Sequence, residues 1–236
     1  MIVADMKAVN KIYNGKFPIK EVRYGAILVW KQGEGYTTKY NREVECLYAK
    51  GDSAYIITDL LFSDLTKYKF EIKGWCGMGA TMLFGARDAS TSGNTNQLAM
   101  LHGANGNYQF RIMDGTSAAS ISAANTLPHV FEWDGSSYTM DGRRYALSST
   151  YLAKARQLET HYGLALFGCN TSGIVDNHDK DRCIYYFKVW CEDELIADYI
   201  PVIDNNGIAC FYDNVSEKLI RCSGDGNFGF DEKEQL

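Results

Sequence analysis

The chain has 236 residues, 46% of them hydrophobic and 13% aromatic, and a formal net charge of −5. That is ample material for a core and excludes a disordered chain, while the acidic balance without a basic stripe argues against nucleic acid as the main partner. No run approaches the roughly 18 apolar residues of a membrane span, and residues 1–30 carry Asp5, Lys7, Lys11 and Lys16 with no apolar h-region, so synthesis in the cytoplasm without an export signal is expected.

Residues 1–32 hold two short β-forming units that end in glycine, Lys11–Gly15 (KIYNG) and Val22–Gly25 (VRYG), with strands expected at Phe17–Ile19 and Ala26–Trp30. They read as a small N-terminal β-module or as a hairpin of the main domain. Residues 33–43 contain two glycines and no apolar pattern, and read as a linker. The main domain is expected from 44 to 230, ahead of a short acidic tail at 231–236. Within it, Tyr68, Phe70 and Ile72 alternate with Lys67, Lys69, Glu71 and Lys73, the pattern of a strand buried on one face. Thr81–Ala86 is a strand leading into a polar loop, Arg87–Asn96. Leu98–His102 and Tyr108–Met113 are strands split by the glycine-bearing turn Gly103–Asn107. Ser117–Leu127 is small and polar, and Pro128–Asp134 with Ser137–Met140 form a hairpin across Asp134-Gly135. Ala146–Leu158 is the place for a short helix. Tyr162–Gly168 is a buried strand entering a second polar loop, Cys169–Asp181.

The closing segment is the most informative. Cys183–Cys191 (CIYYFKVWC) is aromatic and β-branched, Leu195–Ile200 and Ile208–Tyr212 follow across short turns, and Val215–Ile220 completes the run. Turns this short force an antiparallel meander, because parallel neighbours need a crossover of about a dozen residues. Strict alternation puts Tyr185, Phe187 and Val189 on one face and Ile184, Tyr186 and Trp190 on the other, so both faces are expected to be covered. With roughly a dozen strands and hardly a helix, the chain reads as an all-β sandwich.

This segment, LIADYIPVIDNNGIACFYDNV ending in CSGDGNF, together with Tyr55–Asp59 (YIITD), Phe131–Gly135 (FEWDG) and Met140–Gly142 (MDG), resembles concanavalin A-like, LamG-type jelly-roll domains over residues 44–230. Such domains occur in tail, fibre and other virion proteins of phages of gut bacteria and in surface proteins of their hosts. The resemblance implies a two-sheet antiparallel jelly-roll sandwich acting in a virion without enzymatic activity. Residues 1–32 would attach it to other virion proteins or drive homo-oligomerisation, commonly as a trimer. The sandwich would bind a glycan or the host surface. A bacterial surface lectin, a decoration protein without ligand and an endo-acting glycan hydrolase are the alternatives.

Candidate chemistry follows the polar loops. Arg87, Asp88, Asn105, Tyr108, Asn170, Asn177 and His178 supply the ring and the planar polar groups that sugar hydroxyls require, provided that the loops converge at one end of the sandwich. Asp176, Asp179 and Asp181 place oxygen ligands densely, as calcium prefers, without the EF-hand spacing; LamG-like domains bind calcium at a loop rim. No other cofactor is expected. Trp75, Trp133 and Trp190 read as core anchors. For hydrolysis, Glu132 is the natural carboxylate, but along its own strand it has only Asp134, which sits in a turn. The four histidines accompany no nucleophile motif. The seven cysteines form no CxxC pair and read as reduced buried thiols, the alternative being a disulfide between strands 183–191 and 208–212.

Overall fold

The computed structural model describes residues 39–49, 54–77, 79, 81–90, 93–113, 117–122, 127–176 and 181–233, with the strands at 12–14, 17–19, 21–24 and 27–31. The chain divides into two compact units, Met1–Lys39 and Tyr40–Leu236. In the first, β1 (Ile12–Asn14) pairs antiparallel with β2 (Phe17–Ile19), and β3 (Glu21–Tyr24) with β4 (Ile27–Lys31). Most of the expected linker lies outside the described residues. Its last part, from Tyr40, belongs to the second unit: Asn41 N donates to Ile203 O at 2.8 Å and β5 (Arg42–Glu43) pairs with a sandwich strand.

The second unit is an all-β sandwich of two sheets with a jelly-roll-like arrangement. Its larger sheet has the order β15 (Arg143–Ala146), β14 (Ser137–Met140), β13 (His129–Trp133), β8 (Tyr68–Cys76), β19 (Arg182–Cys191), β20 (Glu194–Ile203), β21 (Ala209–Asp213) and β22 (Lys218–Ile220). At one end β6 (Cys46–Ala49) joins β19, and β23 (Gly229–Asp231) joins β6. The smaller sheet runs β12 (Ser117–Ser122), β11 (Asn107–Met113), β10 (Gly93–His102), β9 (Thr81–Ser90), β16 (Ala165–Leu166) and β7 (Ile56–Ile57), and β17 (Cys169–Thr171) lies parallel to β9 and pairs with β18 (Ile174–Asp176). The strands β19 to β22 form the expected meander. Helix α1 (Ser149–Gln157) sits where expected, with the Ser148 side chain accepting from Tyr151 N at its start. No described helix is long and apolar enough to cross a membrane.

Two expected loops are ordered strands instead. Residues 87–90 continue β9 and residues 93–96 begin β10, while the segment after Cys169 folds as the β17–β18 hairpin. Polar side chains reveal exposure; they do not exclude ladder hydrogen bonds, which the backbone makes whatever the side chain.

The core is aromatic. Phe70 and Phe187 from the larger sheet meet Phe84 from the smaller one at centroid distances of 5.5 and 5.8 Å, and Phe110 stacks on Tyr138 at 5.1 Å and lies 5.5 Å from Trp133. Trp133 is buried as expected, its indole N–H donating to Leu65 O at 3.0 Å. Buried rings of this size contribute most of the apolar area a sandwich removes from water. All seven cysteines are free, and Cys46, Cys76, Cys169, Cys183 and Cys210 are buried.

One irregularity decides what faces outward. The pairing of β19 with β8 slips between Ile184 and Tyr186, a β-bulge. Ile184, Phe187 and Val189 therefore point into the core, whereas Tyr185, Tyr186, Lys188 and Trp190 lie half-buried, and Tyr185, Tyr186 and Lys188 line one cleft outside the sheet. The expectation of two covered faces fails here. Further along, Tyr40 covers the outer side of β20 and β21, its ring 5.0 Å from that of Tyr212 beside Val202 and Cys210. The outer face stays open over β13, β8 and β19.

Candidate glycan-binding groove on the larger sheet

The open face is built by strand alternation. On β8 the core takes Phe70, Ile72 and Cys76, which leaves Lys69, Glu71, Lys73 and Trp75 outward. Register then lines up one transverse row across six strands: Asp198 on β20 faces Lys188 on β19, Lys188 faces Glu71 on β8, Glu71 faces Glu132 on β13, Glu132 faces Thr139 on β14, and Thr139 faces Arg144 on β15.

The cations of that row are committed elsewhere. Lys188 lies 3.6 Å from Asp198, and Arg144 pairs with Asp134 at 3.2 Å. Lys73 lies 4.6 Å over the Tyr185 ring, a cation–π contact. Among the described residues no ion pair reaches Glu71 or Glu132; hydroxyls hold them. Tyr186 OH donates to Glu71 Oε1 at 2.5 Å, and Thr139 Oγ1 donates to Glu132 Oε2 at 2.6 Å. Burial, the hydrogen bond to Glu71 and the charges of Glu71 and Glu132 push the Tyr186 phenol well above its usual range, so it stays a donor.

Two adjoining clefts share Glu71. One, of about 470 Å³, is bounded by Lys73, Tyr185, Tyr186, Lys188, Glu45 and Ile200. The other, of about 510 Å³, is bounded by Lys69, Glu132, Thr139, Arg144, Trp190 and Asp193. Together they make a groove across the sheet with Glu71 at its waist and aromatic walls on both sides. Its Trp190 end is closed by a two-residue turn in which Glu192 and Asp193 have φ of 48° and 71°, held by the Lys69–Asp193 ion pair. Trp75 and Trp190, expected in the core, are half-buried on this outer side. Beside Trp75 a smaller cleft of about 290 Å³ is bounded by Tyr48, Asp181, Cys183 and Asp231.

The residues singled out from the loops fall elsewhere. Arg87 donates to Asp176 Oδ2 at 2.7 Å and to Thr171 Oγ1 at 2.8 Å, closing a bridge between β9, β17 and β18. Asp88 lies 2.8 Å from His161 Nδ1 and accepts from Asn96. Asn170 is buried, donates to Gly163 O and accepts from Gly173 N, so it shapes a turn. Tyr108 is fully buried, stacked 4.4 Å from His102, and contacts no solvent; its alternation with Phe110 and Ile112 carries that signal. Asn105 is exposed in the β10–β11 turn next to Thr81, whereas Arg87 stands six residues further along β9, about 20 Å away. The turn carrying Asn105 and the segment carrying Arg87 thus occupy opposite ends of the smaller sheet, whereas Arg87, Asn170 and Asp176 come together at one end through the β9–β17 pairing. Asn177, His178 and Asp179 lie outside the described residues. Asp176 is engaged by Arg87, and Asp181 is exposed at the small cleft by Trp75. Among the described residues no three His, Cys, Asp or Glu side chains are grouped to hold a metal ion.

The fold and the groove define a class: an antiparallel β-sandwich that presents one open, polar and aromatic sheet face. No protein-family model and no curated protein matches the chain.

Proposed function

We propose that this protein is a glycan-binding adhesion protein that takes a polysaccharide along the outer face of its larger sheet. The observation that carries the reading is the groove itself: half-buried Tyr185, Tyr186 and Trp190 beside a transverse row of three carboxylates, the Thr139 hydroxyl, Lys188 and Arg144. A sugar offers an apolar C–H face to a ring and paired hydroxyls to planar acceptors, and both kinds of partner alternate here within one strand spacing. Displacement by the bulge supports it, since bulges re-aim side chains beside sites. The resemblance to LamG-type virion proteins supplies the setting: the unit Met1–Lys39 docks on a phage particle or joins copies of the chain, and the sandwich faces the host.

Affinity electrophoresis tests the reading. The full chain is expected to be retarded in gels containing a bound polysaccharide, and Trp190→Ala with Tyr185→Ala to run free while keeping the wild-type melting temperature within a few degrees. Mass spectrometry of purified particles tests the setting.

A further inference from the structure

The outer face of the smaller sheet carries a buried polar group that packing does not explain. We infer that Gln97, Arg111 and Arg87 form a second binding site, which takes a hydroxy acid: a carboxylate beside a hydroxyl, as sugar acids bear. Leu98, Met100, Ile112 and Ala86 point into the core, which turns Gln97 and Ala99 on β10, Arg111 on β11 and Arg87 on β9 outward. Ala99 faces Arg111, with Gln97 two residues along the same strand; on its other side Gln97 comes opposite Arg87, where the ladder shifts between Thr95 and Leu98. The two arginines therefore flank Gln97 from strands about 10 Å apart. Gln97 is fully buried, and among the described residues neither its amide nitrogen nor its amide oxygen has a hydrogen-bond partner. An amide buried in that state costs stability, and the next positions on this face, Ala99 and Leu101, are buried and apolar. A face that needed only packing would be apolar at position 97 too.

The arginines supply the charge. Arg111 Nε and Nη2 both donate to Gln109 Oε1, at 3.2 and 2.8 Å, and among the described residues no carboxylate pairs with this guanidinium. Burial, and after it the charge of Arg87, draws the Arg111 pKa below its usual value, so the group sits in a partly desolvated, electropositive place. Arg87 commits Nε to Thr171 and Nη2 to Asp176, which leaves Nη1 for a ligand. The site lies just beneath the surface: the Arg87 side chain is 14% exposed, and rotation of Arg111 away from Gln109 admits the ligand. Arg111 then exchanges a neutral amide for a carboxylate, the stronger and bidentate partner. The neighbouring hydroxyl donates to Gln97 Oε1, and a second ligand oxygen accepts from Gln97 Nε2. Sulfate only accepts and would leave Gln97 Oε1 unmatched, which is why a hydroxy acid fits better.

Isothermal titration of the full chain with sodium glucuronate tests the site, with propionate, methyl glucoside and sulfate as comparisons at matched ionic strength. Saturable binding of glucuronate is expected, and each comparison, lacking the charge or the hydroxyl, should bind about tenfold or more weakly. Arg111→Gln is expected to weaken glucuronate by about tenfold or more, and Arg111→Lys, which keeps the charge without the fork, by less. Gln97→Met keeps the shape and removes the amide; it should weaken glucuronate by about tenfold while raising the melting temperature of the free protein. Alginate distinguishes two sources of the acid. Binding of alginate that the same variants weaken marks an acid carried on a polymer, and binding of glucuronate alone marks a free one. Trp190→Ala, on the other sheet, should leave the titration intact, so the groove reading stands or falls separately. Absence of saturable glucuronate binding overturns the inference, as does binding that survives Arg111→Gln and Gln97→Met, or sulfate binding as tight as glucuronate. A Gln97→Met variant that gains stability and titrates like wild type shows that Gln97 holds only water, and overturns it too.

Discussion

Replacing Glu132 by Gln is expected to stabilise the protein. Gln keeps the length of the side chain and an oxygen that accepts from Thr139, now at 2.6 Å, so the change removes charge alone. Glu132 faces Glu71 directly, and like charges opposed across two strands cost about 0.2–1 kcal/mol. Coulomb's law sets the upper end: two charges as close as the facing β-carbons, about 5 Å, repel by about 0.8 kcal/mol in a water-like medium, and less where Thr139 and Tyr186 draw the carboxylates to opposite sides. A domain of this size gains about 2–4 °C per kcal/mol, so the melting temperature should rise by about 1–3 °C, measured by scanning calorimetry at neutral pH. In about 1 M salt, where the screening length falls to about 3 Å, most of the gain should vanish. Glu71→Gln should do the same, and the double variant should add little, because either change alone removes the repulsion. A loss of 2 °C or more, or a gain untouched by salt, would refute the opposed pair.

Three further expectations follow from single features. Asp193→Gly should raise stability by about 0.5–1 kcal/mol, since glycine relieves the left-handed backbone (φ 71°) and the exposed Lys69 ion pair it gives up is worth little; urea unfolding checks it. Burial pushes the Asp134 carboxyl up, but donors from Ser137 and Ser136 outweigh it and hold the group at about 2. A folded value below the unfolded one stabilises above the ordinary carboxylate range and is lost as pH falls, so Asp134→Asn should be less stable by about 1 kcal/mol at pH 6, after allowance for screening of this half-exposed side chain, with the gap closing between about pH 4 and pH 2. Burial lifts the Cys76 and Cys169 thiols to about 12 and Cys210 to about 11; a thiol reagent on native protein should reach Cys191 and Cys222 and label the five buried cysteines only after unfolding.

The strands were legible where burial imposed a period. The alternation of Tyr68–Trp75 marks β8 and its outward Lys69, Glu71 and Lys73, and the tight turns after Cys191 and Ile203 mark the meander. The site was not, because it depends on pairing. Glu71 and Glu132 are separated by about sixty positions and meet only because β13 docks against β8 in one register; periodicity tells which way a side chain points, not which strand lies beside it. The bulge at Ile184–Tyr186 has no glycine on its own strand; its one signal is Gly74 on β8, where an added Cβ would meet Cys183 O at 2.5 Å, so alternation along β19 alone could not assign Tyr185 and Tyr186 to one side. The loop residues misled for a chemical reason: Asn170 and Asp176 resemble ligands because they are polar, and they spend that polarity on a turn and on Arg87.

The central claim is that the ligand lies on the open sheet face and not on the loops. Retardation of the full chain in polysaccharide gels, compared between Trp190→Ala and the exposed turn variant Asn105→Ala, tests it most directly. The account predicts that Trp190→Ala abolishes retardation and that Asn105→Ala leaves it intact; the reverse pattern would contradict it.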